Sequence, residues 1–104
     1  MLQIRDADHF TELLESTKPF VVWFSASWCG PCRTINKTEL SALATELELS
    51  LYYCDVDSNG PVMGACRVKQ VPTFLAIRDG KLGARMSGAD IPAIHAFLRK
   101  VAAP

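Results

Sequence analysis

Apolar residues run along this chain in two manners, and the contrast between them predicts its elements. In "FVVWFSA" (20–26) they follow one another with almost no alternation, the pattern of a strand covered on both faces. "LSLYYCDV" (49–56) is nearly as continuous and is broken by "SNG". Elsewhere the spacing is helical. Leu40, Leu43, Ala44 and Leu47 form one buried stripe, and Ile94, Phe97, Leu98 and Val101 another. "LQI" predicts a short opening strand, and Asp6 or Asp8 caps a helix running to about Thr17 with Phe10, Leu13 and Leu14 on one face. Lys18-Pro19 ends that helix. A second helix starts at Cys29 and Cys32 and continues to about Leu47, and a short one follows "SNG" to about Arg67. After "QVP" come a strand "TFLAI", a hairpin turn at Asp79-Gly80 and an edge strand "KLGARMSG". Asp90 caps the last helix, which tolerates Pro92 in its first turn. The order β-α-β-α-β-α-β-β-α implies parallel crossovers followed by an antiparallel hairpin. The class is therefore α/β, a mixed sheet of about five strands with helices on both faces.

The length of 104 residues suits a single domain, 1–104, with one core. Formal net charge is zero and no basic cluster is present, which argues against nucleic-acid binding. The longest apolar run, "PFVVWFSASW", is too short to cross a bilayer, so no membrane role is expected. The opening "MLQIRDADHF" lacks the charged-then-apolar layout of a signal peptide, and a cytoplasmic location is expected. The four cysteines then read as one reactive pair plus two separate thiols, rather than a disulfide scaffold. Cys54 is expected to be a small buried apolar residue, and Cys66 to be partly exposed and oxidisable.

Cys29 and Cys32 stand at the C-terminal end of a buried strand, where α/β sheets place their chemistry. Residues i and i+3 in a first helical turn share one side of the helix end, so a disulfide can close around Gly30 and Pro31. Unpaired N–H groups and the positive end of the helix dipole there favour a thiolate, the attacking species in exchange. Gly30 lets the chain turn, and Pro31 starts a helix with little loss while stiffening the ring. A C-x-x-C pair also serves zinc, but zinc takes four ligands, usually from two such pairs. The remaining donors, Cys54, Cys66, His9 and His95, have no paired spacing.

With "WCGPC" (28–32) opening a helix, "VPT" (71–73), Asp79-Gly80, "SGAD" (87–90) and "DVD" (55–57), the chain resembles the thioredoxins over essentially its whole length. Glutaredoxins and disulfide isomerases carry different residues between the cysteines. The resemblance implies a protein disulfide reductase and electron carrier working by dithiol–disulfide exchange. Cys29 would be the nucleophile and Cys32 the resolving thiol. The substrate surface would comprise Trp28 as a flat apolar platform, Gly30, Pro31, Val71 whose backbone a cis Pro72 would turn toward the cysteines, and Gly88. The cysteines hold the electrons, so no cofactor and no metal are implied. Implied partners are thioredoxin reductase or a small-dithiol donor, and disulfide proteins such as peroxiredoxin, methionine sulfoxide reductase and ribonucleotide reductase, met as a monomer. The alternative is a thioredoxin-fold binding module that uses the apolar surface around Trp28, Val71 and Pro72.

Three features depart from the family pattern. Trp23 stands where most thioredoxins have a buried Asp, and Tyr53 where many bacterial members have a Lys. Exchanging a costly buried carboxylate for rings favours the fold. It also removes a negative charge that raises thiol pKa values, so Trp23 and Tyr53 are expected to modulate the pair, with Cys29 titrating lower than in acid-bearing members. The alternative is that Trp23 only fills the core with neutral effect. The third is "INKTEL" (35–40), which lacks the family's helix-kinking Pro and resumes its apolar stripe about one residue late. A π-bulge is the expected accommodation.

Overall fold

The computed structural model describes residues Met1 to Pro104. Its elements in chain order are β1 (Leu2–Gln3), α1 (Ala7–Leu13), β2 (Phe20–Ser25), α2 (Gly30–Arg33), α3 (Lys37–Glu46), β3 (Ser50–Asp55), α4 (Gly60–Ala65), β4 (Thr73–Arg78), β5 (Lys81–Ser87) and α5 (Ile91–Ala102). They build one five-stranded sheet in the order β1-β3-β2-β4-β5. β3 lies parallel to β1 and β2, whereas β4 is antiparallel to both β2 and β5. This is the expected mixed sheet, a parallel part followed by an antiparallel hairpin. At the hairpin turn Asp79 and Gly80 both adopt positive φ, 54° and 73°. A Cβ on Gly80 would lie 2.6 Å from the Leu14 carbonyl oxygen, so the turn requires glycine twice over.

All six residues of β2 are buried, as its unbroken apolar run requires. Phe20, Val22 and Phe24 pack on one side with Phe10 of α1, Val62 of α4, and Leu75 and Ile77 of β4. Val21 and Trp23 pack on the other with Leu40 and Leu43 of α3, Ile94 and Leu98 of α5, and Phe74 of β4. The sheet thus divides the core into two apolar layers, and β2 belongs to both. No helix is long and apolar enough to cross a membrane.

Helix ends differ from expectation in two places. α1 is capped by Asp6, whose carboxylate accepts the His9 N–H at 2.8 Å, but it ends at Leu13 rather than near Thr17. Isolated turn bonds carry the chain only as far as Ser16. More consequentially, the helix that begins at the cysteines does not run to Leu47, and it contains no π-bulge. It breaks after Arg33 and restarts at Lys37. Asn36 takes an extended conformation (φ −83°, ψ 113°), and its side chain accepts the Glu39 N–H at 3.0 Å. A side-chain N-cap of this kind contributes about 1 kcal/mol toward a fresh helix start. The restart returns Leu40, Leu43 and Ala44 to the core, and Leu47 becomes a half-buried C-cap.

Candidate active site

β2 delivers the chain to the sheet's C-terminal edge, where Cys29 takes an extended conformation as the N-cap of α2. Cys29 and Cys32 are joined as a disulfide with Cα atoms 5.3 Å apart. The Cys29 sulfur accepts the Cys32 backbone N–H at 3.2 Å. α2 is one turn long, so this N–H, rather than the dipole of a long helix, is the donor that meets the sulfur. Pro31 sits in the first turn as expected. Both cysteines are almost wholly covered, at 4% and 5% exposure, while Gly30 and Pro31 between them are exposed.

The loop before β4 completes the surface. The Val71–Pro72 peptide bond is cis, and the Val71 carbonyl oxygen lies 3.7 Å from the Cys29 sulfur. Thr73 secures the loop: its hydroxyl donates to the Gln70 carbonyl at 2.7 Å and lies 2.8 Å from the Ser87 hydroxyl. Gly88, with φ of 105°, donates its N–H to the Pro72 carbonyl at 3.0 Å. Cys29, Val71, Pro72 and Gly88 are therefore one connected patch. Trp28 adjoins it and is 64% exposed, an unusual state for so large an apolar ring. Its indole N–H donates to Asp57 at 3.2 Å, which restrains the exposed ring.

Trp23 and Tyr53 meet behind the disulfide. Trp23, 1% exposed, stacks on Phe74 at 5.5 Å between centroids and meets Tyr53 edge-on at 5.1 Å. With Ile35, Arg33, Lys37 and Cys32 these two rings line a cavity of about 330 Å³. Both residues singled out as departures thus line one cavity together with Cys32. Lys37 was not anticipated; its Nζ sits 3.8 Å from the Tyr53 ring centroid, a cation–π contact. Arg33 was missed as well. Its Nε and one terminal nitrogen both donate to the Ser27 carbonyl, at 3.1 and 2.9 Å, tying the residue after Cys32 to the loop before Cys29. Neither contact has a sequence signal: that of Lys37 depends on where the helix breaks, and that of Arg33 on how the loop before Cys29 folds. Asp57 lay inside "DVD", but nothing in that motif points to the Trp28 ring.

A family model described as Thioredoxin matches residues 1–100. Thioredoxin Asp f 29 of Aspergillus fumigatus is 35% identical over 101 residues, covering 93% of this chain and 91% of its own length. The X-ray structure of Fasciola hepatica thioredoxin superposes with a TM-score of 0.86 at 34% identity, covering 96% of this chain and 98% of that chain. Two further similarities concern larger systems. The Mycobacterium leprae protein named bifunctional thioredoxin reductase/thioredoxin is 33% identical over 90 residues, 85% of this chain and 19% of its own. A solved chain from work on the thiol resolving mechanism in yeast mitochondrial 1-Cys peroxiredoxin via glutathione/thioredoxin systems matches with a TM-score of 0.85 at 26% identity, covering 96% and 94%.

The other two cysteines are free and buried. This agrees with expectation for Cys54 and corrects it for Cys66, which closes α4 with its side chain inside the apolar layer beneath β2 rather than at the surface. Burial pushes the Cys54 thiol up to about 12, with Cys66 and Asp55 adding to the effect. Burial likewise raises Cys66 to about 11, against a lowering by Arg85. No group of three or more His, Cys, Asp or Glu side chains is arranged to hold a metal ion. In the folded, reduced protein Cys54 and Cys66 are expected to resist iodoacetamide at about pH 8 and to label only after unfolding; peptide mapping that finds native Cys66 labelled would contradict this burial. The sign of the pH effect follows from the same shifts. Both thiols keep their protons in the fold after the unfolded chain, near the ordinary value of 9.0, has lost them. Their contribution to stability is complete below that value and falls as pH rises through it toward 11, readable in the denaturation midpoint.

Proposed function

The chain belongs to the thioredoxin family, and we propose that it is a protein disulfide reductase in which Cys29 attacks and Cys32 resolves. One observation carries this assignment: the Cys29–Cys32 disulfide lies at the end of β2, with Cys29 against the Val71–Pro72 loop and Cys32 farther along α2. In the reduced protein the Cys29 thiolate attacks one sulfur of a substrate disulfide. That S–S bond breaks, and its electron pair leaves on the second substrate sulfur as a thiolate. Cys32 then attacks the Cys29 sulfur, the first substrate sulfur leaves as a thiolate, and the Cys29–Cys32 disulfide forms. Two electrons have passed to the substrate, and the oxidised form described here is the product state.

The N–H of Cys32, aimed at the Cys29 sulfur, supports the choice of nucleophile because it stabilises a thiolate there. An extended substrate segment would pair its backbone with Val71 beside the cis Pro72, rest on the exposed Trp28 and pass over Gly30, Pro31 and Gly88. The Gly-Pro spacer resembles that of reducing members, and a reducing compartment such as the cytoplasm suits this direction. We assign recharging to a thioredoxin reductase, with a small-dithiol donor as the other source. The Mycobacterium leprae relative, which carries both activities in its name, supports the first. Peroxiredoxin is the substrate class that the yeast structure supports. Methionine sulfoxide reductase and ribonucleotide reductase complete the proposed set.

Trp23 and Tyr53 would set the proton chemistry. With rings in place of a buried acid, no carboxylate lines the cavity behind Cys32, and the thiols escape the repulsion that such a charge exerts on a thiolate.

Two measurements test these roles. Reduction of insulin disulfides should fall to the uncatalysed background in Cys29→Ser, and activity surviving that substitution would exclude the exchange mechanism. Titration of the reduced protein should show the active-site thiolate forming at higher pH in Trp23→Asp than in Trp23→Asn, the latter removing the ring without adding charge. Equal titrations of the two variants would sink the electrostatic role of this position.

A further inference from the structure

The cavity behind the disulfide has a distinctive electrical character. Its lining comprises Trp23, Ser25 and Ala26 from β2 and its end, Ser27, Cys32 and Arg33, Ile35, Lys37, and Tyr53 of β3. Two of these side chains are cations and none is an acid. The buried Trp23 indole N–H, which has no acceptor in the protein, adds another positive edge. Both cations are restrained. Arg33 is held on the Ser27 carbonyl by two hydrogen bonds. Lys37, though exposed, is the first residue of α3 and is seated over the Tyr53 ring at 3.8 Å. Its position follows from the helix break: had the helix continued through 34–36, residue 37 would not begin a new axis beside β3.

No carboxylate lines the cavity itself, but Asp55 lies close by. Asp55 belongs to the adjoining cleft, which Lys37 and Tyr53 also border together with Arg5 and Asn59. Its Oδ1 is engaged by the Asp57 N–H at 2.9 Å, and Asp57 in turn accepts from Trp28. The two spaces share Ser27, Lys37 and Tyr53, and Asp55 is paired across the sheet with Ser25, which lines the cavity.

We propose that Lys37 is a positioning residue for the resolving step: seated on Tyr53, it holds positive charge at the cavity against Cys32 and favours the Cys32 thiolate while Cys29 is tied to substrate. The inference deepens the exchange mechanism above and rests on it. In that step the Cys32 proton passes to solvent water, the Cys32 sulfur bonds to the Cys29 sulfur, and the bond between Cys29 and the substrate sulfur breaks with its electron pair on the substrate. A fixed cation lowers the energy of the anion that attacks, without a buried base to take the proton. Lys37 thus supplies from α3 a charge that β3, with Tyr53, does not carry.

The test uses the full chain in a Cys29→Ser background, where Cys32 is the one active-site thiol and its thiolate is followed by absorbance near 240 nm. Cys54 and Cys66 do not interfere, since their thiols are pushed up to about 12 and about 11. Relative to this parent, Lys37→Gln should move the Cys32 midpoint up by about half a unit, Lys37→Glu by about one, and Lys37→Arg not at all. Tyr53→Leu, which removes the seat but keeps the charge, should give part of the Lys37→Gln shift. High salt should shrink every difference. Matched thermal midpoints in Lys37→Gln and Lys37→Arg exclude a folding effect at this exposed position. An unmoved midpoint in both Lys37→Gln and Lys37→Glu would overturn the proposal. No substrate enters the titration, so its failure is separate from a failure of insulin reduction, which would overturn the exchange mechanism instead.

Discussion

Strand β2 is gripped from both sides, by Phe10 and Val62 under Phe20, Val22 and Phe24, and by Leu40, Ile94 and Leu98 over Val21 and Trp23. Each such side chain contributes about 1.5–3 kcal/mol on leaving water, so this strand is among the most strongly held parts of the molecule. That grip decides where the chemistry occurs. The chain leaves β2 at Ser25 and reaches Cys29 within one short loop, so the dithiol inherits the strand's fixed position. β4 is paired to the same strand and brings its own leading loop, with Val71 and Pro72, to the same edge. Two loops anchored on adjacent strands therefore meet at the Cys29 sulfur.

The same grip explains how the site tolerates a tryptophan beneath it. Trp23 is an ordinary member of its apolar layer, stacked on Phe74 and edge-on to Tyr53. An acid at this position would require desolvation and a partner. The rings remove that cost and leave Cys32 beside a cavity whose lining includes two cations and no carboxylate. On the proposed mechanism, stability and proton chemistry would be coupled at one residue: the side chain that completes the core would also set the electrostatic surroundings of Cys32.

Much of this was legible in the sequence because the relevant signals are local. The unbroken run at 20–26 announced a strand buried on both faces, Asp79-Gly80 announced the hairpin, and "WCGPC" announced the dithiol at a strand-to-helix turn. What stayed hidden depends on competition between local and tertiary terms. A late apolar stripe at Leu40 is compatible with a bulge or with a break; the break goes with the Asn36 cap and with the burial of Ile35 in the Trp23 layer. Cys66 looked exposed because a cysteine at the end of a short polar-flanked helix carries no periodicity; its burial comes from α4 lying on the Phe24 side of the sheet. The contacts of Lys37, Arg33 and Asp57 join residues whose nearness no spacing encodes.

The central claim is that Cys29, not Cys32 or either buried thiol, makes the first bond to a substrate disulfide. Removing the resolving thiol with Cys32→Ser should arrest exchange at that bond. Incubating reduced Cys32→Ser protein with a disulfide-containing protein substrate and mapping the adduct by mass spectrometry tests this most directly. The account predicts a reducible one-to-one mixed disulfide on Cys29. No adduct, or an adduct on Cys54 or Cys66 with Cys29 free, would contradict it.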